Sequence, residues 1–281
     1  MYLVFDVGGT FVKYAWMSMD GNIQEKGKYP TPTKEGESVP EFVESLGQIY
    51  DKYKDQGVEG IALSLPGLID AENGIIRNGG GIKYLKDAHL AELLGARCDG
   101  VKISMENDGK CAALAEVWMG NAKGCKNAMV IAIGTGLGLG VMVDGRLLKG
   151  KSGLGAEAHF GIARGKVRRC SCGNWDCYEV YASGTALGVD AQEAYHDKSK
   201  TSHDIIAGIQ AGDKKAREVF DLWQDDVLTG IVGLANLFDP EVVLMFGGLT
   251  DYLDYERLEK EANSRIVTAP FKLCRARFEH N

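Results

Sequence analysis

Short apolar runs separated by polar turns open the chain. Residues 3–5 and 11–17 have the length and composition of strands, and an Asp20-Gly21 turn separates the second run from a third that starts at Ile23. Asp-Gly between two apolar runs is typical of a tight hairpin. The pattern therefore predicts three strands at the amino terminus, the last two of them joined as an antiparallel hairpin.

The next segment has the spacing of a helix. Ser38, Pro40 and Glu41 match a capping box with a proline in the first turn. Apolar side chains then recur at intervals of three and four residues as far as Tyr53. We therefore predict an amphipathic helix whose first turn is capped by the Ser38 side chain.

Two further strands and a second helix are predicted before residue 120. Residues 60–65 form a continuous apolar run that stops at Pro66-Gly67, as a buried strand would. A strand at 101–105 is predicted to end in Glu106-Asn107-Asp108, and a helix at 109–118 follows. Polar residues thus collect where a predicted strand meets a helix.

The opening pattern then repeats. A strand at 128–133 leads into a glycine-rich turn at 134–138, a second strand runs to Val143, and Asp144-Gly145 supplies the hairpin turn. A repeat of this length indicates two related domains, which we place at 1–120 and 121–281. Because hairpins open both halves, the pattern favours a duplicated, mixed α/β fold over a purely parallel sheet.

Composition and charge exclude some classes of function but identify none. The chain has 281 residues, a formal net charge of −7 and a pI near 5.4, and so lacks the basic surface that nucleic-acid binding needs. No apolar run approaches the roughly 20 residues that span a bilayer. No basic leader precedes the first strand. We therefore expect a cytoplasmic protein that binds neither nucleic acid nor membrane.

Two glycine-rich turns carry the first candidate chemistry. Their glycines would let backbone N–H groups approach a phosphate closely, and Asp6 would repel that phosphate unless Mg²⁺ lies between them. One such turn is equally typical of a plain hairpin, whereas two at equivalent places favour two loops that hold one polyphosphate. The candidates are Asp6, Gly8, Gly9, Thr10 and Lys13 at the first turn, and Gly134, Thr135 and Gly136 at the second.

Asp108 admits two interpretations. An aspartate between a strand and a helix could act as a general base for a hydroxyl group. It could equally cap the helix, which is the commoner role for aspartate at that place. The local pattern alone favours the cap.

A cysteine cluster indicates a metal site. Cys170, Cys172 and Cys177 lie within eight residues, with His159 upstream. Three thiolates and one imidazole suit a closed, tetrahedral, structural Zn²⁺. The seven cysteines are odd in number and no secretion signal is apparent, which argues against a disulfide framework.

Carboxylates and basic residues flank this cluster. Glu157 and Glu179 could accept hydrogen bonds from sugar hydroxyls, although a solvated role is commoner for a single glutamate. The basic run of Lys166, Arg168 and Arg169 is expected to form a solvated loop.

Taken together, these segments resemble the ROK family, named for its repressors, open reading frames and kinases. The resemblance covers nearly the whole chain. It rests on Phe5-Asp6-Val7-Gly8-Gly9-Thr10, Leu65-Pro66-Gly67, Glu106-Asn107-Asp108, Ile133-Gly134-Thr135-Gly136-Leu137-Gly138, His159 with Cys170-Ser171-Cys172-Gly173-x-x-x-Cys177-x-Glu179, and Phe246-Gly247-Gly248. It implies an actin-like, ribonuclease H-like fold of the hexokinase type, with two α/β domains around a central cleft.

The resemblance also implies an activity and a role for each motif. The activity is transfer of the γ-phosphoryl of Mg·ATP to a hexose hydroxyl, usually the 6-OH, by a glucokinase-like enzyme that contains structural zinc. Asp108 would be the base. The sugar would be held by Asn107, Glu157, His159, Glu179 and Gly67, the phosphates and magnesium by the two glycine turns, the adenosine by Gly247 and Gly248, and the zinc by His159, Cys170, Cys172 and Cys177.

The sequence departs from the family pattern at two places near the zinc ligands. Glu157 lies one residue nearer His159 than the family's usual glutamate. Asn174-Trp175-Asp176 stands where the family usually has a glycine before the last cysteine. We therefore expect either a shifted loop or a lost sugar contact at the first place, and a bulkier turn at the second.

Several alternatives stay open. The acceptor could be glucose, N-acetylglucosamine, N-acetylmannosamine, fructose, allose or a β-glucoside. The chain could instead be a sugar-binding sensor without turnover. Repressors of the family carry a helix-turn-helix before the first glycine motif, whereas Asp6 is the sixth residue here. The resemblance favours a homodimer.

Overall fold

The computed structural model describes residues 1–33, 36–162 and 164–278. Its strands are β1 (Tyr2–Val7), β2 (Phe11–Met17), β3 (Ile23–Pro30), β4 (Gly60–Leu65), β5 (Leu68–Asp70), β6 (Ile75–Asn78), β7 (Ile103–Asn107), β8 (Ala128–Ile133), β9 (Leu137–Val143), β10 (Arg146–Leu147), β11 (Val242–Phe246) and β12 (Lys272–Arg275). Its α-helices are α1 (Val39–Asp51), α2 (Leu90–Arg97), α3 (Asp108–Met119), α4 (Glu179–Ala182), α5 (Gly184–Tyr195), α6 (Ser202–Gln210), α7 (Lys214–Phe238) and α8 (Tyr255–Arg265).

The chain divides into two compact units. The first contains residues 1–111 and 149–155, and the second contains residues 112–148 and 156–281. The division falls inside α3 instead of near the predicted boundary at residue 120. A short segment at 149–155, which we call the strap, returns to the first unit because two of its groups bond to side chains near the start of α3.

The first unit is built on a five-stranded sheet of order β3-β2-β1-β4-β7. The three amino-terminal strands are antiparallel, as the Asp20-Gly21 turn predicts, whereas β4 and β7 run parallel to β1. Parallel strands place their carboxyl ends at one edge of the sheet. Asp6, Leu65 and Asn107 therefore come to the same edge from three different strands.

The second unit repeats this order. Its five-stranded sheet is β10-β9-β8-β11-β12, with an antiparallel hairpin at β8 and β9 and parallel pairing of β11 with both β8 and β12. When the strands are numbered within each five-stranded sheet, both sheets have the order 3-2-1-4-5. The predicted mixed α/β duplication is therefore confirmed.

Each unit buries its own core. In the first, α1 and α2 pack their apolar residues on the sheet around Leu3, Phe42 and Leu63, all of them buried. In the second, α7 places Trp223, Val227 and Ile231 on one face. Their three-and-four spacing is the reason the sequence forms one long helix against β8 and β11.

Two local predictions are wrong in detail. Ser38 precedes α1, but its hydroxyl donates to the Glu41 carboxylate at 2.8 Å and makes no capping bond to the backbone. The strand before α3 covers 103–107 instead of 101–105, because Val101 is still held in the turn after α2 by a bond to the Cys98 carbonyl. Glu106 and Asn107 are therefore part of the sheet.

Among the described residues, no helix combines the length and the apolar character that crossing a membrane would require.

Candidate active site

The first glycine turn connects β1 to β2. Its backbone closes through the N–H of Gly8, which donates to the Phe11 carbonyl at 3.0 Å, and the Thr31 hydroxyl donates to the Gly8 carbonyl at 2.6 Å. Gly9 and Thr10 are exposed, and a Cβ added at Gly9 would meet no atom within 4 Å. Hydrogen bonds at Gly8 therefore hold the turn in place, while Gly9 and Thr10 stay open to solvent.

Sheet register decides what surrounds Asp6. Lys13 faces it on β2, and Ser64 faces it on β4. The Ser64 hydroxyl donates to Asp6 Oδ1 at 3.2 Å, and Lys13 Nζ lies 3.9 Å from Asp6 Oδ2. The structure therefore brings Asp6, Lys13 and the glycine turn together, as predicted for a phosphate and Mg²⁺ site.

Asp108 is the first residue of α3. Its Oδ1 accepts a hydrogen bond from the N–H of Gly109 at 2.8 Å. The residue is exposed to solvent, yet nearby protein atoms partly desolvate its carboxylate. This desolvation, together with the charge of Asp6, raises the pKa of Asp108 above its ordinary value. A carboxylate of that kind is suited to accept a proton.

The cap of α3 is Asn107, which is only 8% exposed. Its Oδ1 accepts from the N–H of Lys110 at 3.2 Å, and its Nδ2 donates to the Gly67 carbonyl at 3.0 Å. The local preference for Asp108 as the cap is therefore wrong. The offset of one residue arises because β7 runs two residues further than predicted.

Gly67 occupies a position that requires glycine. Its φ is +88°, and an added Cβ would lie 2.1 Å from the carbonyl oxygen of Asn78. The turn that begins with Pro66 therefore packs directly on the loop at 78–82. Because it has no side chain, Gly67 can pack against this loop and still offer its carbonyl to the Asn107 amide.

Two ionisable side chains near Asp108 make contacts that the sequence analysis did not predict. Glu106 pairs with Lys149 at 2.7 Å, and Lys110, only 1% exposed, donates from Nζ to the Gly153 carbonyl at 2.9 Å. Both bonds tie the strap to the start of α3. A lysine and a glutamate beside a helix start are usually solvated, so the sequence pattern holds no signal for their burial.

The second glycine turn connects β8 to β9 and contacts Glu179. The N–H of Leu137 donates to Glu179 Oε2 at 3.1 Å. The N–H of Gly184, at the start of α5, donates to the Gly134 carbonyl at 2.8 Å, and the Thr185 hydroxyl donates to the Thr135 carbonyl at 2.7 Å. The positive end of the α5 dipole is therefore directed at this turn, which favours an anion there.

A groove of about 640 Å³ opens beside the second turn, within the second unit. Gly134, Thr135 and Gly248, which the sequence analysis places near the phosphates and the adenosine, are among its lining residues. The remaining walls come from α5, α6 and the short helical turn at 248–252, which sequence reasoning missed. Polar groups on those walls belong to Thr185, Gln192, Lys200, His203, Gln210 and Tyr252.

Gly247 directly precedes Gly248, which lines this groove. Its φ is +116°, and a Cβ there would lie 2.1 Å from the carbonyl oxygen of Ile133. The loop after β11 can therefore cross the end of β8 only with glycine at this position. The Thr250 hydroxyl donates to the Gly247 carbonyl at 2.6 Å and holds the following turn in place.

The predicted metal ligands come together. The ligand atoms of His159, Cys170, Cys172 and Cys177 all lie within 4.8 Å of one another. Cys170 Sγ is 3.5 Å from His159 Nδ1, and the Cys172 and Cys177 sulfurs are 3.5 Å apart. A tetrahedral Zn²⁺ with Zn–S bonds of about 2.3 Å needs sulfurs about 3.8 Å apart. The donor set therefore fits zinc in spacing and in chemistry.

The cluster contains thiols of contrasting acidity. A backbone N–H at Asn174 lowers the pKa of Cys172, whereas burial raises the pKa of Cys177 to about 12. A buried thiol of that kind becomes a thiolate at neutral pH only when a cation binds it.

A backbone hydrogen bond joins the segments that carry Glu179 and His159. The N–H of Glu179 donates to the Ala158 carbonyl at 3.3 Å, one residue before His159. Glu157 is half-buried, and the preceding Ala156 has a φ of +62°, a left-handed conformation that alanine rarely adopts. The unusual spacing of Glu157 thus coincides with a strained backbone just before it.

Comparison with known proteins agrees with this geometry. The model of the ROK family matches residues 2–279. An N-acetyl-D-glucosamine kinase of Aliivibrio salmonicida is 30% identical over 95% of this chain and 91% of its own length. A glucokinase of Thermotoga maritima is 29% identical over 87% of this chain and 81% of its own length.

A solved structure agrees as well. The ROK hexokinase of Thermus thermophilus superimposes with a TM-score of 0.85 and 30% identity, over 99% of this chain and 93% of that one. The predicted fold of the hexokinase type is therefore confirmed. Because the family model spans nearly the whole chain and the curated relatives are covered over most of their length, the chain belongs to the ROK family.

Proposed function

We propose that the protein is a sugar kinase that transfers the γ-phosphoryl of ATP to a hexose hydroxyl, with Asp108 as the general base. The observation that carries this proposal is the state of the Asp108 carboxylate. Asn107 fills the capping role, and desolvation raises the pKa of Asp108, which makes its carboxylate a stronger base. A positioned base of this type contributes about 10² to 10⁴ in rate.

The base would act on the acceptor hydroxyl. Asp108 takes the hydroxyl proton as the sugar oxygen attacks the γ-phosphorus, and the bond to the β-phosphate oxygen breaks. Since the transition state of phosphoryl transfer is largely dissociative, most of the protein's work is positioning and charge stabilisation. Asp6 would hold Mg²⁺, which neutralises phosphate charge when bound.

The phosphates and the nucleoside would lie on the two glycine turns and in the groove. The open backbone at Gly9 and Thr10 offers N–H and hydroxyl donors, and Gly134 to Gly136 offer the same beside the start of α5. The adenosine would occupy the groove over Gly247 and Gly248. Lys13, paired with Asp6, would sit beside the transferring group.

The sugar would be held by side chains around Asn107 and His159. His159 directs Nδ1 at the cysteines, which leaves Nε2 for a sugar hydroxyl. Asn107 Oδ1 keeps one lone pair beyond its bond to the N–H of Lys110. Glu157 and Glu179 would complete the set, and a structural Zn²⁺ on His159, Cys170, Cys172 and Cys177 would fix the loop that bears them.

Glucose is the acceptor we propose first, because the family resemblance is to glucokinases and two relatives bear that name. N-acetylglucosamine is the second candidate, since the relative from Aliivibrio salmonicida is named for it. N-acetylmannosamine, fructose and β-glucosides remain in the panel to be tested. We also propose a homodimer, which light scattering on the purified protein would test.

The test is a coupled assay of ADP release with Mg·ATP across that sugar panel, with Asp108→Ala as the control. Turnover that requires a sugar and disappears in the control supports the proposal and identifies the acceptor. A protein that binds sugar by calorimetry but releases no ADP with any of them would instead be a sensor.

A further inference from the structure

A buried carboxylate lies at the centre of the loop that carries the cysteines. Asp176 is 5% exposed and immediately precedes Cys177. Its Oδ2 accepts from the N–H of Lys166 at 2.6 Å, and its Oδ1 accepts from the N–H groups of Val167 and Arg168 at 2.9 and 2.8 Å. The Tyr181 hydroxyl donates a fourth bond to Oδ1 at 2.7 Å.

The backbone is shaped to make this arrangement. Lys166 has a φ of +65°, and the three successive N–H groups from 166 to 168 converge on one anion, as in a nest. Asp176 itself has a φ of +54°, and its own N–H donates to the Arg168 carbonyl at 2.8 Å. The Ile162 N–H donates to the Asp176 carbonyl at 2.8 Å. Asp176 thus joins both arms of the loop through main chain and side chain.

Two arginine side chains hold the ring of Tyr181, the fourth donor. The ring of Tyr181 lies under the guanidinium groups of Arg164 and Arg168, at 5.4 and 4.8 Å from its centroid. Arg168 also pairs with Asp190 on α5 and donates to the Val180 carbonyl at 3.1 Å. The expectation that this basic run is solvated is therefore wrong for Arg168. It links the loop to the helix behind it.

The metal ligands and this carboxylate belong to the same short segment. Cys170 lies two residues after Arg168, whose N–H binds Asp176, and Cys177 follows Asp176 directly. The N–H of Cys170 donates to the Asn174 carbonyl at 2.9 Å, which closes the tip between them. Moving Asp176 would therefore shift ligands on both sides of the tip at once.

We propose that Asp176 is a positioning residue that pre-organises the cysteine cluster for its metal and, through the same loop, the sugar contact of Glu179. The proposal rests on the zinc and sugar roles of the proposed function. The four hydrogen bonds hold residues 166–168 to residue 176, so the sulfurs of Cys170 and Cys177 keep their spacing without the metal drawing them together. Metal binding then requires little further ordering of the loop and so costs little conformational entropy.

The experiment exploits the left-handed backbone of Asp176. Asp176→Gly retains the backbone conformation and removes only the carboxylate. Asp144→Gly is the matched control, because Asp144 also has a positive φ, of +50°, and is exposed in the turn between β9 and β10. Zinc transfer from each purified holoprotein to a chromophoric chelator measures metal affinity. The KM for sugar, the KM for ATP and kcat are measured in parallel.

We expect Asp176→Gly to weaken zinc binding by about tenfold to a hundredfold, the range found for supporting residues around metal ligands. The KM for sugar should rise while the KM for ATP stays constant. Asp144→Gly should match the parent in every measurement. Asp176→Asn, which tolerates the same backbone and keeps one acceptor oxygen, should fall between parent and glycine variant.

Results that overturn the role of Asp176 differ from those that overturn the zinc assignment. Asp176→Gly with zinc affinity within twofold of the parent overturns the proposal, whether or not the enzyme is active. If that variant does not fold, Tyr181→Phe and Asp176→Asn decide, since each removes part of the network. Unchanged zinc affinity in both overturns the proposal. A parent protein that contains no zinc overturns the zinc assignment itself, while sugar-dependent ADP release would still support the kinase.

Discussion

The side chain of Asn107 accepts a hydrogen bond from the N–H of Lys110 at 3.2 Å, which makes Asn107 the N-cap of α3. Asp108, the next residue, instead accepts a hydrogen bond from the N–H of Gly109, its immediate neighbour. Capping and proton transfer are thus assigned to neighbouring side chains. The two functions should separate on mutation.

Asp108→Asn and Asn107→Ala are expected to have different effects. Asp108→Asn should lower kcat by about 10² to 10⁴, because an amide cannot take the hydroxyl proton, and should leave the thermal midpoint near that of the parent. Asn107→Ala should lower the free energy of unfolding by about 1 kcal/mol, the usual cost of a lost cap. Assays of kcat and thermal unfolding on both variants check this. Because asparagine caps a helix as well as aspartate does, the cap itself is tested with Asp108→Ala: a loss of about 1 kcal/mol in that variant would return the capping role to Asp108.

The pH dependence of kcat/KM for the sugar should reveal the raised pKa of Asp108. Desolvation and the charge of Asp6 favour the neutral carboxyl and so raise its pKa above 3.8. The base is active when ionised. The acid limb of kcat/KM for the sugar should therefore fall at a higher pH than an ordinary aspartate would give. A capping carboxylate would show the opposite direction, because helix N–H groups stabilise the charge. An acid limb below pH 3.8 would contradict the assignment.

Local signals were sufficient to predict the framework of the molecule. The Asp-Gly turns and the strand-length apolar runs predicted both hairpins and the duplication, and the sheets have the same order in both units. The cysteine spacing predicted a cluster that the structure brings together. In each case the determining residues are close in sequence, so no knowledge of long-range packing was needed.

Features created by long-range contacts could not be predicted. The buried Lys110 has its hydrogen-bond acceptor at the carbonyl of Gly153, 43 residues away. The walls of the groove come from α5, α6 and the turn at 248–252, which meet only in the folded unit. The cap of α3 was misplaced because Asn and Asp are equally good caps, and a two-residue change in the end of β7 decides between them.

Lys110→Met tests the link between α3 and the strap. The variant removes the buried amine and leaves the Gly153 carbonyl without that donor, so we expect the free energy of unfolding to fall by about 1 to 3 kcal/mol. Lys123→Met, at an exposed lysine, is the control and should change stability by less than about 0.5 kcal/mol. Urea unfolding measures both. Equal stability of the two variants would show that the bond to Gly153 contributes nothing.

Zinc removal should affect the sugar site before the nucleotide site. The cluster supports the segment that leads from His159 to Glu179, whereas the groove is walled by α5, α6 and the turn at 248–252. Cys172→Ser removes one proposed ligand and should lower the zinc content and raise the KM for sugar, with a smaller effect on the KM for ATP. Cys125→Ser, outside the cluster, should change neither. Elemental analysis and initial-rate kinetics on both variants make the comparison. Full zinc content in Cys172→Ser would exclude that cysteine as a ligand, and equal rises in both KM values would show that the metal supports the whole unit instead of the sugar loop.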